Sequence, residues 1–208
     1  MIKLKLNYGF PKRQMKILFA VLIIFHLSSC DFIDQYRCYP DNSIMEKMTT
    51  HFIPRQNSFC IVTYPDIRFP GMLRYHRSKI NWGSDDCFKG NVIVLVNERT
   101  GSFSEYLTMA LQQNPKTITV GRATAGSDGN IVRMQFPGNV ISWHSGVGIY
   151  YPDFTPTQRT GIKIDHIVEP DIESVSKGID VALDKAKSLA KNLISTDSTF
   201  FYNKADTF

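Results

Sequence analysis

The stretch VIVLVNERTGSFSE, residues 92–105, decides the fold. Its five leading apolar residues predict a strand that is buried on both faces, as in the interior of a parallel sheet. The polar run after it predicts a turn, and residues 104–113 predict a helix with one apolar side. A buried strand thus delivers Ser102 to the first turn of a helix, where unpaired N–H groups and the helix dipole stabilise a developing oxyanion.

Two roles fit Ser102. A nucleophilic serine requires a base, usually one that a third group orients, and the neighbouring sequence supplies none. As a helix cap, Ser102 forms the pattern S-x-x-E with Glu105, in which the serine caps the helix and the glutamate reaches back to it. The sequence leaves both roles open.

The remaining pattern predicts a mixed α/β chain. A strand at 117–120 ends in the glycine-rich loop GRATAGSDGN, residues 121–130. Two apolar strands joined by a helix predict a parallel βαβ unit. A hairpin at 131–136 and 140–144, a strand at 148–151 and a last helix at about 176–193 follow. Upstream, a short strand is expected at 59–63 and loops from 65 to 86.

The first 29 residues have the composition of a targeting segment. Basic residues precede the apolar run Ile17–Phe25, which is too short to span a bilayer. The run leads into LSSC, residues 27–30, which resembles the lipobox of bacterial lipoproteins. That resemblance implies a lipidated Cys30 and a membrane-anchored protein in the bacterial cell envelope, facing the periplasm or the cell surface. An ordinary secretory signal is the alternative.

Charge and cysteine content narrow the function. Five of the 24 basic residues precede Cys30, so the other 19 balance the 19 acidic residues. No basic stripe remains, and a nucleic-acid partner is not expected. No His/Cys cluster has metal-ligand spacing, so neither a metal nor another cofactor is expected. Cys38, Cys60 and Cys87 permit a disulfide outside the cytoplasm, with the pairing open.

Several motifs in order resemble the tail-specific or C-terminal-processing serine peptidases, the clan that includes tricorn. They are VIVLVNE (92–98), GSFSE (101–105), GRATAG (121–126), GIYYPD (148–153), TQRTGI (157–162) and Glu169-Pro170. The resemblance covers residues 91 to 190, about half of the chain. It implies a partial crotonase/ClpP-like core and proteolysis of peptide or unfolded protein substrates. Ser102 would be the nucleophile, and the backbone N–H of Phe103 an oxyanion donor.

The chain departs from the family pattern at the general base. The processing peptidases place a lysine where this chain has Ser127, and the tricorn-like branch places a glutamate where it has Thr160. The upstream half of the family core and the usual PDZ domain have no counterpart. Three interpretations remain: a serine peptidase with an unrecognised base, an inactive relative that binds peptides, or a truncated core that a partner chain or an oligomer completes.

The predicted organisation has four parts: a signal peptide (1–29), a tether and unassigned segment (30–90), the peptidase-like core half (91–194) and a tail (195–208). Polar side chains outside the motifs are secondary candidates for the site. A histidine in a strand or loop more often has a structural role, and an aspartate in a glycine-serine loop more often forms a turn. These candidates are His51, His76, His144 and His166 as bases, Asp128 as an acid and Arg159 as a ligand for a substrate carboxylate.

Overall fold

In the part of the chain that the structure describes, a parallel sheet, an antiparallel sheet and a hairpin combine with α-helices. A computed structural model describes residues 21–24, 51–53, 56–80, 88 and 90–205. In chain order its elements are β1 (Val21–Ile24), β2 (Gln56–Pro65), β3 (Leu73–Ile80), β4 (Val92–Val96), α1 (Phe103–Leu111), β5 (Thr117–Gly121), β6 (Ile131–Phe136), β7 (Val140–Ser145), β8 (Gly148–Tyr150), β9 (His166–Ile167), α2 (Ile172–Ser176) and α3 (Val181–Ala205).

Strand β4 lies inside the main sheet, whose order is β1-β4-β5-β9. It pairs in parallel with β1 and β5, and every one of its side chains is buried. Val92, Val94 and Val96 pack in the larger apolar cluster with α1, whereas Ile93 and Leu95 pack in a second cluster with α3. The uninterrupted apolar run therefore has the predicted cause, which is burial on both faces. The α/β class and the βαβ unit are confirmed.

A second sheet, of order β3-β2-β8, packs against the other side of α1. The prediction of a loop at residues 73–80 is wrong. They form β3, whose register with β2 pairs Thr63 with Tyr75 and Ile61 with Arg77. The run LRYHRSKI is largely polar and exposed, so its hydrophobicity gave no strand signal. Hydrogen bonding along the ten-residue β2 makes it a strand.

Residues 21–24 form β1, although the sequence analysis places them in the signal peptide and outside the fold. They pair in parallel with β4 from Val21↔Val92 to Ile24↔Leu95. A short apolar run suits both assignments, because the hydrophobic part of a signal and a buried strand have the same composition. Removal of the signal peptide stays a prediction, and Cys30 lies outside the described residues.

The C-terminal helical segment is divided in two, where the sequence predicts one helix from 176 to 193. Gly178 has φ 66° just after α2, a left-handed conformation that suits glycine and ends the helix. Asp180 then begins α3 by accepting a hydrogen bond from the N–H of Leu183 at 2.9 Å. The helix continues to Ala205. Within the described part of the chain, no helix is both long and apolar enough to cross a membrane.

Candidate active site

Three motif loops that are far apart in sequence meet at the ends of β4 and β5. The N–H of Ala125 donates to the carbonyl of Thr100 at 2.9 Å, which joins the second loop to the turn before Ser102. The N–H of Arg159 donates to the carbonyl of Gly126 at 2.7 Å, which joins the third loop to the second. Motifs that the sequence could only place in order are thus brought together at one site.

Ser102 is exposed and has an unusual backbone conformation. Its φ is 52° and its ψ is −123°, at the junction of β4 and α1. A non-glycine residue in this region carries strain of order 1–3 kcal/mol, and such strain is concentrated at functional sites. A sharp, strained turn from a strand to a helix is also how α/β hydrolases present a nucleophilic serine.

The capping role of Ser102 is present as well. The N–H of Ser102 donates to Glu105 Oε2 at 3.1 Å, which is the glutamate half of the capping box. The N–H of Glu105 donates to the backbone carbonyl of Ser102 at 2.9 Å, so the serine hydroxyl is not needed as its main acceptor. Capping therefore depends mostly on Glu105, and the hydroxyl of Ser102 stays accessible from solvent.

Glu105 fixes the geometry of the whole site. Its side chain is fully buried, and its two oxygens accept four hydrogen bonds. Oε1 accepts from Thr124 Oγ1 at 2.6 Å and from the N–H of Gly126 at 2.8 Å. Oε2 accepts from the N–H groups of Ser127, at 3.0 Å, and Ser102, at 3.1 Å. A carboxylate has about four acceptor positions, so Glu105 is saturated and acts as a clamp between two loops.

The position of the missing lysine lies beside the serine turn, as the family pattern implies. A Cβ added to Gly101 would lie 2.6 Å from Ser127 Oγ, so glycine at 101 is what allows this close approach. Ser127 is exposed and has a hydroxyl that cannot act as a base. Thr160 is exposed too, and its hydroxyl donates to the carbonyl of Gln158 at 3.2 Å. Neither residue takes the place of the family's general base.

The backbone N–H of Phe103 fits the predicted oxyanion donor. Phe103 is the first residue of α1, where N–H groups have no partner within the helix. Among the described residues this N–H makes no hydrogen bond, whereas that of Ser102 is engaged with Glu105. One donor next to Ser102 in the chain is therefore available for an anionic oxygen.

Asp128 is a buried carboxyl group, and not the simple turn former that the sequence suggests. Burial raises its pKa to about 7, a shift that the negative charge of Glu105 supports and the N–H of Gly129 opposes. Its Oδ2 lies 3.5 Å from Thr157 Oγ1, whose own hydroxyl donates to the carbonyl of Ile149 at 3.0 Å. Thr157 is the donor in this long contact, so it favours the charged carboxyl and, like the N–H of Gly129, opposes the rise in the pKa of Asp128.

Cys60 and Tyr106 are further buried groups near the site. Burial raises the pKa of the Cys60 thiol to about 11, and it raises the pKa of Tyr106 well above its usual range. Cys60 is a free thiol, so it forms no disulfide in the described part of the chain. Cys38 and Cys87 lie outside the described residues. A buried thiol with a raised pKa is unreactive, and we assign Cys60 to packing.

Among the described residues, the hydrogen bonds given for Ser102 join it to Glu105 and the first turn of α1, and none of them joins it to a predicted histidine base. His76 lies in β3 against the ring of Tyr64, at 5.9 Å between centroids, and not in the predicted loop. His144 is exposed in β7 opposite Val132. The other two predicted candidates are His51, which is exposed, and His166, which lies in β9 beside Val120.

Arg159 is exposed beside the second loop and has φ 66°, and it makes no ion pair in the described part of the chain.

A separate cleft of about 260 Å³ opens where β4 and β5 end, lined by Asn97, Arg122, Val168 and neighbouring side chains of α2 and α3. Ser102 is not part of its lining. Within the described ranges, no three His, Cys, Asp or Glu side chains come together as a metal site.

An exposed serine at a strained turn between a buried parallel strand and a helix is the arrangement of the α/β serine hydrolases. The family model for peptidase family S41 matches residues 43–174, and the chain belongs to this family. Members of the family are serine peptidases, which confirms the resemblance that the motifs indicate.

Individual relatives are more distant. The chain is 30% identical over 128 residues to a protein of Chlamydia trachomatis serovar D, a match that covers 56% of this chain and 20% of that protein. Against a candidate peptidase of Parabacteroides merdae the TM-score is 0.63 at 18% identity, over 72% of this chain and 48% of that one. For a candidate S41 protease of Bacteroides fragilis the TM-score is 0.47 at 15% identity, over 77% and 42%. The chain thus spans about a fifth of the curated relative and half of the first of these structures.

Proposed function

We propose that this chain is a serine peptidase-like protein of the bacterial cell envelope, with Ser102 as its reactive group. Family membership supports hydrolysis of peptide or unfolded protein substrates. The observation that carries the proposal is the conformation of Ser102: it is exposed, strained at φ 52° and held in place by the buried Glu105. A residue that served only as a cap would have no need of this strain.

The proposed mechanism uses few groups. Ser102 Oγ bonds to the scissile carbonyl carbon as its proton passes to a base from outside the described ranges, from a partner chain or from a second copy, and the N–H of Phe103 stabilises the oxygen that becomes negative. The scissile C–N bond then breaks, and the amine leaves with that proton. Water hydrolyses the acyl ester, which releases the acid and restores the Ser102 hydroxyl.

A catalytically inactive, peptide-binding relative is the second candidate. It is favoured by the pair Ser127 and Thr160, which stand where related enzymes carry a lysine or a glutamate and which cannot accept a proton at neutral pH. In such a protein the Glu105 clamp would preserve the shape of the site while the chemistry is lost. Peptide binding would then be unaffected by replacement of Ser102.

Labelling with a fluorophosphonate serine probe distinguishes these two functions. The full-length chain is compared with Ser102→Ala and with the control Ser127→Ala, which removes the neighbouring hydroxyl. We expect labelling that disappears only in Ser102→Ala. If the folded wild-type chain takes up no probe and binds an extended peptide as well as Ser102→Ala does, the inactive candidate replaces the peptidase.

The envelope location depends on the lipobox-like LSSC at residues 27–30. We expect a bacterial host to attach radiolabelled palmitate to the wild-type chain and not to Cys30→Ser. The control Cys60→Ser removes a buried thiol and should leave the label unchanged. Equal labelling of the Cys30 variant would contradict a lipid anchor at this residue.

A further inference from the structure

The turn between β2 and β3 exposes an unusual number of large apolar side chains. Ile67 is 94% exposed, Phe69 60%, Met72 63% and Leu73 63%. We call these four residues the apolar tip. Their neighbours along β2, such as Phe59 and Ile61, are almost fully buried. A contiguous apolar group of this kind on a soluble surface usually marks a contact with a partner or a membrane.

The turn holds these side chains outward through its own hydrogen bonds. Asp66 is only 8% exposed and accepts a hydrogen bond from the N–H of Arg68 at 2.8 Å. The N–H of Asp66 donates to the carbonyl of Met72 at 2.9 Å, and the N–H of Met72 donates to that of Phe69 at 3.0 Å. Since the backbone is fixed in this way, exposure of the tip belongs to the folded structure.

Basic residues surround the apolar tip. Arg68 is 64% exposed and Arg74 43% exposed, and both contact the single acidic side chain of the segment, Asp66. Arg77 and Lys79 follow, both exposed, along β3. Residues 65–80 therefore carry four basic groups and one acidic group, whereas all residues after Cys30 together are balanced.

The arrangement along β3 separates apolar from basic side chains. Leu73, Tyr75 and Arg77 occupy alternate positions and share one face of the hairpin. Tyr75 also contacts the ring of Phe154, with centroids 6.1 Å apart, which extends the exposed aromatic surface beside the tip. On this face of β3, Leu73 lies nearest the turn, Tyr75 comes next and Arg77 lies farthest along the strand.

We propose that the apolar tip inserts into the interfacial region of an anionic lipid bilayer, with the exposed Arg68 and Arg77 at the level of the lipid phosphates. Apolar and aromatic side chains flanked by basic ones have the composition of membrane-surface segments. A symmetric contact with a second copy would bring two surfaces of the same positive sign together, which is unfavourable. The proposal agrees with an envelope location and does not depend on peptidase activity.

Site-specific fluorescence of the full-length chain tests this contact. Phe69→Trp places a probe in the apolar tip, and Ile172→Trp places one on α2 at a residue that is 90% exposed. The signal of the parent chain, which contains two tryptophans, is subtracted. Vesicles contain brominated phosphatidylcholine, with or without about 30% phosphatidylglycerol, because bromine quenches only a tryptophan that enters the bilayer.

We expect quenching of the tryptophan at 69, strongest in the anionic vesicles, and little quenching at 172. Adding Arg68→Gln and Arg77→Gln to the Phe69→Trp chain should weaken this quenching. The partition coefficient between vesicles and water should fall by about fivefold for each arginine removed. Equal quenching at 69 and 172 would mean that the chain is merely held near the bilayer, and it would overturn the proposal. So would no quenching at 69, or a blue shift at 69 that appears without lipid as protein concentration rises, which would indicate a second copy.

Discussion

At the scale of single residues, the site combines a strained backbone at Ser102 with hydrogen bonds that hold it in place. Ser102 has a backbone conformation that glycine adopts without cost, and the surrounding hydrogen bonds keep it there. A conformation that costs free energy and is nevertheless maintained suggests that the side chain has a use. The capping pattern that the sequence shows is real, but Glu105 provides most of it, so the cap alone does not explain a serine at this position.

The strain at Ser102 predicts a trade between stability and reactivity. Replacing Ser102 with glycine should raise the free energy of unfolding by about 1 kcal/mol, because glycine adopts φ 52° freely. Glycine is a slightly poorer helix cap than serine, which reduces this gain by a few tenths of a kcal/mol. The same change should abolish probe labelling. Urea denaturation of the full chain measures the first effect. The control Ser104→Gly lies inside α1 and should instead lower the free energy of unfolding. A loss of stability in Ser102→Gly would show that the turn is not strained.

The four hydrogen bonds of Glu105 predict a large effect of a small change. In Glu105→Gln the side-chain oxygen still accepts but the NH2 group cannot, so either the pair Ser102 and Ser127 or the donors at Oε1 lose their partner. We expect the free energy of unfolding to fall by about 3 kcal/mol. Glu98→Gln is the matched control, since its exposed ion pair with Arg122 contributes less than about 1 kcal/mol. Similar losses in both variants would contradict the clamp.

The buried Asp128 predicts a dependence of stability on pH. Its pKa is about 7 in the folded state and near 4 when unfolded, so between these values the folded state binds more protons. Stability therefore falls as pH rises through this window, and Asp128→Asn should remove that part of the slope, on the order of 3 kcal/mol between pH 4.5 and 8.

The exposed Asp153 supplies a control of opposite sign for this pH effect. Hydrogen bonds from Lys163 and Thr155 lower the pKa of Asp153, so its contribution is lost as pH falls. Urea denaturation at several pH values compares Asp128→Asn and Asp153→Asn with the wild type. An unchanged slope in Asp128→Asn would mean that Asp128 is charged throughout.

At the scale of elements, the sequence was most reliable where an apolar run or a turn signal marks the bounds of a strand, whether the strand is buried like β4 or exposed like β6. The bounds of β4 were predicted without error, and those of β5, β6, β7 and β8 within a residue, because apolar runs and Pro-Gly-Asn signals are local. β3 was missed because its eight residues are mostly polar, and only pairing with β2 makes them a strand. The clamp was half visible as S-x-x-E, whereas its contacts with residues 124–127 depend on tertiary folding.

The neighbouring strand β1 predicts how processing would affect the main sheet. The N–H of Val92 donates to the carbonyl of Lys116, and the carbonyl of Val96 accepts from the N–H of Arg122. The even-numbered residues of β4 therefore direct their backbone groups toward β5. The N–H groups of Ile93 and Leu95 therefore face β1. Removal of residues 1–29 should speed hydrogen exchange at 93 and 95 by at least about tenfold relative to Val94, as measured by NMR or mass spectrometry. Uniform exchange along β4 would mean that β1 does not pair there.

At the scale of the whole molecule, this member of family S41 brings its motif loops together, whereas no described residue is assigned as the proton acceptor. The three motif loops converge, the serine turn is strained and a donor at Phe103 is open. The chain nevertheless matches only 20% of its relative in Chlamydia trachomatis. Holding loops in position and accepting a proton are therefore separate properties here, and the first is carried by Glu105 and the fold alone.

Because these two properties are separate, we predict that a lysine at position 127 can act as the proton acceptor for Ser102. Ser127 approaches Gly101 closely, so a lysine side chain at 127 starts beside the Ser102 turn. We expect Ser127→Lys to take up the fluorophosphonate probe at least about tenfold faster than wild type near pH 9, where a larger share of the amine is neutral. The gain is modest against the 10²–10⁴ of a tuned base, because residue 127 is exposed and its lysine would not be desolvated. Ser127→Met, of similar length without an amine, should show no gain. If wild type already reacts as fast as Ser127→Lys, a base is present in the native chain, and the search for it moves to the residues outside the described ranges.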